Sequence, residues 1–98
     1  MPYPKVDKNQ PEIVSALRQM GAEVFHVHMV KNFFDILVAY KGKLYAVEIK
    51  NGTKPESARK LTEGEERCKV KLEGVNVPYN VVTSVEEAIE LISNELPK

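Results

Sequence analysis

Apolar residues fall along this chain in two rhythms, one of helical and one of strand spacing, and the changes between them mark its elements. Ile13, Val14, Leu17 and Met20 form a helical stripe, preceded by Asn9 and Pro11 and closed by Gly21, which predicts an amphipathic helix over residues 10–20. From 23 to 30 the pattern alternates, with Phe25, Val27 and Met29 on one face and Val24, His26, His28 and Val30 on the other, as in a strand. Residues 34–40 and 43–50 are further apolar runs joined by Lys41-Gly42, so the three strands predict a meander. A polar loop over 51–61 comes next. Thr62 and Glu65 then make the T-x-x-E signature that starts a second helix, running to Glu73 and stopped by Gly74. Beyond Pro78, residues 79–83 read as a fourth strand, and Ser84 with Glu87 caps a last helix carrying Val85, Ala88, Ile89 and Ile92. The expected order is αβββαβα, an α/β (α+β) arrangement without repeats or low-complexity segments.

Length and composition narrow the classes. Ninety-eight residues predict one compact domain, 1–98, with a single core. Hydrophobic residues at 43% and charged residues at 29% are ordinary for a globular protein, and no apolar run approaches bilayer-spanning length. The first residues are polar and proline-spaced, unlike a secretion signal, so an intracellular, cytoplasmic address is expected. Cys68 has no second cysteine to pair with, which excludes an internal disulfide and a thiolate zinc framework and leaves packing as its expected role. Fourteen basic and fourteen acidic residues cancel, so the net charge announces no partner. Their distribution says more. Lys50, Lys54, Arg59 and Lys60 face only Glu56 in their stretch, while Glu86, Glu87, Glu90 and Glu95 make the last helix acidic. Positive potential thus gathers just after the third strand, where a phosphate backbone has room to lie; a solvated basic loop is the plainer reading.

The hairpin is where the pattern becomes chemical. With Lys41 and Gly42 as the two central turn residues, Tyr40 opposes Lys43, and the register pairs Val38 with Tyr45, Ile36 with Val47 and Asp35 with Glu48. A type I′ turn then requires positive φ at Lys41; a longer loop of the same parity is the alternative. Opposed residues lie roughly 4.5 to 5.5 Å apart at Cβ, and like charges there are destabilising. Both faces are otherwise mostly apolar, so two ionised, unpaired carboxylates at one end of a buried hairpin would be costly. A hard divalent cation resolves the conflict, because Mg²⁺ usually takes one or two carboxylates and keeps waters that a substrate phosphate can displace. Lys50 shares the face of Glu48 by period-two alternation, and its ammonium can hold an attacking water and offset charge building on phosphorus. The implied reaction is phosphodiester hydrolysis. In the bland alternative both acids sit at solvated strand ends, bridged by Lys50 as a surface ion pair.

Asp35, a hairpin and then Glu48-Ile49-Lys50 resemble the PD-(D/E)XK nuclease superfamily. The Asn9-Gln10-x-Glu12-Ile13 start of the first helix, the Glu48-Ile49-Lys50-Asn51-Gly52 strand end, and the Lys54-Pro55 and Lys60-Leu61-Thr62 segments look like its VRR-NUC branch, particularly the stand-alone phage and bacterial members. The resemblance covers nearly the whole chain. It implies a restriction-endonuclease-like core, with a central mixed four-stranded sheet flanked by helices, and a Mg²⁺-dependent DNA endonuclease in which Mn²⁺ substitutes. By the same resemblance Asp35, Glu48 and the carbonyl of Ile49 bind the metal and Lys50 is the catalytic lysine. Glu12 is then the additional acid that reaches the metal directly or through water. Asn9-x-x-Glu12 is also a capping-box pattern, which gives Glu12 a purely structural alternative. Two departures stand out. Phe34 replaces the proline usual before the aspartate, which shapes backbone and performs no chemistry. The second helix offers Glu65, Glu66 and Arg67 where the family often has glutamine and basic residues, so no catalytic role is assigned there.

The stand-alone members resemble Holliday-junction resolvases, which implies a homodimer nicking four-way DNA junctions symmetrically and leaving 5′-phosphate and 3′-hydroxyl ends. The small size fits, since twofold pairing extends a binding surface and branched geometry supplies selectivity. Lys54, Arg59 and Lys60 are expected to grip DNA. His26 and His28 share a strand face but have no third ligand at a clear spacing, so they are expected as sheet histidines, with a DNA contact by His28 as the functional variant. Three rivals stand beside the resolvase: a less selective or flap-cutting endonuclease using the same site, a catalytically silent DNA-binding subunit, and a protein-interaction domain in which removing Asp35 or Glu48 relieves repulsion.

Overall fold

The computed structural model describes residues 8–93. Its elements are α1 (Gln10–Gln19), β1 (Glu23–His26), β2 (Ile36–Tyr40), β3 (Lys43–Ile49), a 3₁₀ turn at Glu56–Arg59, α2 (Glu63–Glu73), β4 (Tyr79–Val82) and α3 (Val85–Ser93). The strands form one sheet in the order β1-β2-β3-β4, antiparallel across the first three and parallel between β3 and β4, which α2 connects. This is an α+β domain with a four-stranded mixed sheet and three helices, in the expected order of elements. Among the described residues no helix is long and apolar enough to cross a membrane. Glu95 and residues 1–7 lie outside the described residues.

The hairpin turn fixes the pairing of β2 with β3. Lys41 and Gly42 adopt φ of 47° and 82°, the two positive values of a type I′ turn, and the expected register holds from Tyr40↔Lys43 to Ile36↔Val47. Alternation then sorts the side chains. Ile36, Val38, Val47, Ile49 and Val82 turn to one face and form the main core with Ile13, Val14 and Leu17 of α1 and Ala88 and Ile92 of α3. Ala46 and Tyr79 turn to the other face, where with Phe34 they pack against Phe33, Leu37, Leu61, Cys68 and Leu72. Cys68 has the packing role its composition suggested.

Three local expectations are corrected. The alternation from 23 to 30 does not make a strand of that length: after His26 only the Val27 N–H continues the pairing, to the carbonyl of Asp35, and a turn then closes from Val30 N–H to Val27 O. Asn32, with φ of 56°, completes the departure, so His28 leaves the sheet and Met29 and Val30 face solvent. Asn9 does not cap α1; it has helical backbone angles and no side-chain cap bond. Its amide instead donates to the carbonyls of Lys50 at 3.1 Å and Thr83 at 3.0 Å, tying the start of α1 to the ends of β3 and β4. The Asn9-to-Glu12 capping alternative is therefore not formed. At α3 half the expected box is present: Ser84 Oγ accepts the Glu87 N–H, but the Glu87 carboxylate takes the N–H and hydroxyl of Thr83.

Candidate active site

Asp35 reaches the site by a route the alternating pattern did not contain. Its N–H donates to the carbonyl of Val47 at 3.0 Å, although Val47 is the ladder partner of Ile36. Two residues thus stand against one, the arrangement of a β-bulge, and the expected ladder pair Asp35–Glu48 is replaced by it. The carboxylate turns toward the end of β3, where Oδ2 accepts the Ile49 N–H at 2.8 Å. In extended backbone a residue's carbonyl points to the same edge as its N–H, so the Ile49 carbonyl is directed to the side where Asp35 lies.

Glu48 occupies the middle. It is only 4% exposed and lies on the α2 side of the sheet, set there by alternation with Val47 and Ile49. Lys50 Nζ is 3.3 Å from Glu48 Oε2 and 3.0 Å from Glu65 Oε1. Glu65 is held by the start of α2: Thr62 Oγ accepts its N–H at 3.2 Å, and Glu65 Oε1 accepts the Thr62 N–H at 2.9 Å. The capping box, expected only as a helix start, therefore aims a carboxylate at Lys50. Asp35, Glu48 and Glu65 line one depression of about 170 Å³, together with His28, Lys31 and Phe33.

The charges do not balance within this group. Burial, then the negative charges of Asp35 and Glu65, push the Glu48 carboxyl up to about 9, and Lys50 offsets them only in part. Burial also works to raise Glu65, but the backbone bond from Thr62 and the contact with Lys50 outweigh it and hold its carboxyl below the ordinary value. For Lys50 burial disfavours the charge, yet the hydrogen bond to Glu65 and the two neighbouring carboxylates raise it above an ordinary lysine. The favoured ion pair is Lys50–Glu65, beside a Glu48 whose charged form burial and the neighbouring acids disfavour. The same burial and charges raise Tyr79, whose hydroxyl donates to the Phe33 carbonyl at 2.9 Å.

Of the residues singled out in the sequence, Asp35, Glu48, Ile49 and Lys50 come together. Glu12 is exposed on the first turn of α1 and is not among the residues lining the depression. Lys54 and Lys60 are exposed and Arg59 is half-buried, all on the segment after β3 and likewise not lining it. His28 does line it, from the turn after β1, with its ring edge-on to that of His26 at 5.8 Å between centroids. Glu65 is the residue that sequence reading passed over. Its signal was present, since the glutamate of a T-x-x-E box is fixed in direction, but spacing alone cannot tell what that carboxylate faces.

The donor chemistry fits a hard divalent cation. The lining acids offer oxygen only, and a buried carboxyl pushed to about 9 is one whose ionised form Lys50 compensates only in part. Among the described residues no three His, Cys, Asp or Glu side chains are set to cage a metal by themselves. No family model, curated protein or solved structure matches this chain.

Proposed function

We propose that this chain is a metal-dependent DNA endonuclease with a restriction-endonuclease-like core, hydrolysing phosphodiester bonds at Asp35, Glu48 and Lys50. The observation that carries this reading is the buried Glu48, raised by burial and by the charges of Asp35 and Glu65, with Lys50 Nζ 3.3 Å away offsetting them only in part. The Asp35 to Glu48-Ile49-Lys50 resemblance to PD-(D/E)XK nucleases of the VRR-NUC branch supports it from the sequence side. Mg²⁺, or Mn²⁺ in its place, would be held by Asp35, Glu48 and the Ile49 carbonyl, with Glu12 as an outer acid by resemblance. A divalent cation held by these groups would supply Lewis-acid polarisation of the phosphate and a nucleophilic water at neutral pH.

The remaining work belongs to side chains. The Ile49 N–H holds Asp35 Oδ2 in one orientation, so this ligand is preorganised against the end of β3. Glu65 is a positioning residue: it keeps Lys50 charged and holds its ammonium beside Glu48. Lys50 in turn orients the attacking water and offsets the negative charge that grows on the phosphoryl oxygens. Pairing into a homodimer, preference for four-way junctions, and nicks ending in 5′-phosphate and 3′-hydroxyl rest on the resemblance alone.

The test is cleavage of labelled four-way junction, flap and linear DNA with Mg²⁺, Mn²⁺ or EDTA, using wild type, Glu48→Ala and Lys50→Ala. Metal-dependent cutting lost in both variants is expected, and symmetric nicks confined to the junction would identify a resolvase. Cutting that survives either substitution, or EDTA, would remove this site from the reaction.

A further inference from the structure

The acidic depression does not stand alone. It shares His28 with a groove of about 630 Å³ between α1 and the end of β1, and shares Asn32 and Phe33 with a depression of about 320 Å³ against α2. Basic side chains flank the acids along this series, with Lys31 beside them in the middle. The groove carries Arg18, the far depression carries Arg67 and Lys71, and no carboxylate is among the lining residues of either. The acids are confined to the middle. Two polar atoms at the groove, Oε1 of Gln10, a residue only 2% exposed, and Nδ1 of His28, are buried and have no hydrogen-bond partner among the described residues.

Phe33 sits at the junction of the acidic depression and the far one. Its ring stacks on Phe34 with centroids 3.9 Å apart, Phe34 meets Tyr79 edge-on at 6.3 Å, and the Tyr79 hydroxyl holds the Phe33 carbonyl. The result is a braced, half-buried aromatic surface beside the acids. A base inside a duplex is already stacked on both faces and cannot reach a ring set into the surface. An unpaired base can.

We infer that the three depressions form one track for a single unpaired DNA strand. This rests on the nuclease reading for the position of the scissile phosphate, over Asp35, Glu48 and Lys50. Arg18 holds the strand on one side, Arg67 and Lys71 hold its phosphates on the other, and a base next to the site stacks on Phe33. The substrate class is therefore DNA with an unpaired segment at the cut, such as a flap or an opened branch. Lys54, Arg59 and Lys60 lie off this track.

The experiment is fluorescence anisotropy with a labelled oligothymidylate and a duplex of equal length, in EDTA at low ionic strength, where no cleavage interferes. Wild type is compared with Arg67→Ala/Lys71→Ala, Phe33→Leu and Lys54→Ala/Lys60→Ala, after unfolding curves establish that each is folded. Leucine preserves the apolar packing of Phe33, and the double alanine variants alter exposed positions, so lost binding is not lost fold. The single strand is expected to bind about tenfold more tightly than the duplex. Arg67→Ala/Lys71→Ala should weaken it about tenfold and flatten the salt dependence by about 1.4 in slope. Phe33→Leu should weaken it about tenfold with the slope unchanged, and a larger loss in Lys54→Ala/Lys60→Ala than in Arg67→Ala/Lys71→Ala would put the strand on the segment after β3 and overturn the track. Equal or tighter duplex binding, no binding of the single strand, or wild-type affinity in the Arg67/Lys71 and Phe33 variants would overturn the track. Because binding is read without metal, a track upheld in a protein that cuts nothing would sink the nuclease reading alone.

Discussion

On one face of the sheet Ile36, Val38, Val47, Ile49 and Val82 meet α1 and α3 with almost no solvent between them. On the other, α2 covers Ala46 and Tyr79 but leaves Phe25, Leu44 and Val81 53%, 63% and 42% exposed. β3 serves both faces by alternation, giving Val47 and Ile49 to the closed side and Glu48 and Lys50 to the open one. The residues that hold the fold together and those that carry charge are therefore neighbours in sequence but separated by the sheet. A strand anchored in a dry core presents its reactive side chains without the mobility of a loop. Glu48 and Glu65 lie on the face that is less completely covered, at the edge of a small depression.

The largest expected difference between the faces is in packing. Ile36→Ala and Ile49→Ala should each cost about 2–5 kcal/mol of stability, because both side chains are fully buried. Leu44→Ala should stay within about 0.5 kcal/mol. Urea unfolding measures both, and similar costs on the two faces would remove the contrast.

A smaller but more specific effect concerns pH. The Glu48 pKa is raised on folding, to about 9, so the folded protein keeps a proton that the unfolded chain gives up at ordinary carboxylate pH. The stability contributed is complete below the unfolded pKa and is lost as pH rises through the folded one. Metal-free wild type should therefore become less stable from about pH 5 toward about pH 9. Glu48→Gln should lack this slope, match wild type in acid and exceed it by a few kcal/mol at the alkaline end. Parallel pH profiles for the two proteins would show that Glu48 titrates normally.

Glu65 sharpens the comparison from the helix side. Glu65→Gln should leave the fold intact yet lower cleavage about 10- to 100-fold by releasing Lys50. A lysine-directed readout, the reactivity of Lys50 toward an acylating reagent, should rise in the same variant. Smallest is Thr62→Ala, which removes the hydroxyl that accepts the Glu65 N–H and should cost about 1 kcal/mol. Thermal unfolding checks this value, and a loss of cleavage larger than that of Glu65→Gln would be inconsistent with a capping role.

What could be read from the sequence was whatever local periodicity and turn chemistry determine. Lys41-Gly42 set the hairpin register, Thr62 and Glu65 set the start of α2, and alternation put Glu48 and Lys50 on one face. The bulge at Asp35 was not legible, because one extra residue against Val47 leaves no mark in a period of two. Nor was the end of β1: Met29 and Val30 keep the alternation going through the turn that the Val30 N–H closes onto the Val27 carbonyl. Asn9 has the composition of a cap, but its amide finds the carbonyls of Lys50 and Thr83, partners that only the assembled fold supplies. Glu65 was recognised for its local bond to Thr62 and missed for its distant one to Lys50. In each case the missed feature is a tertiary contact competing with, or added to, a correct local rule.

The most direct test of a cation site at Glu48 is calorimetric titration with Mn²⁺ at about pH 8, repeated in two buffers of different protonation enthalpy. Since the metal must displace the proton that Glu48 retains, close to one proton should leave per cation bound to wild type, with weaker binding and no release in Glu48→Gln. Binding without proton release and of equal strength in both proteins, or no binding by wild type, would contradict it.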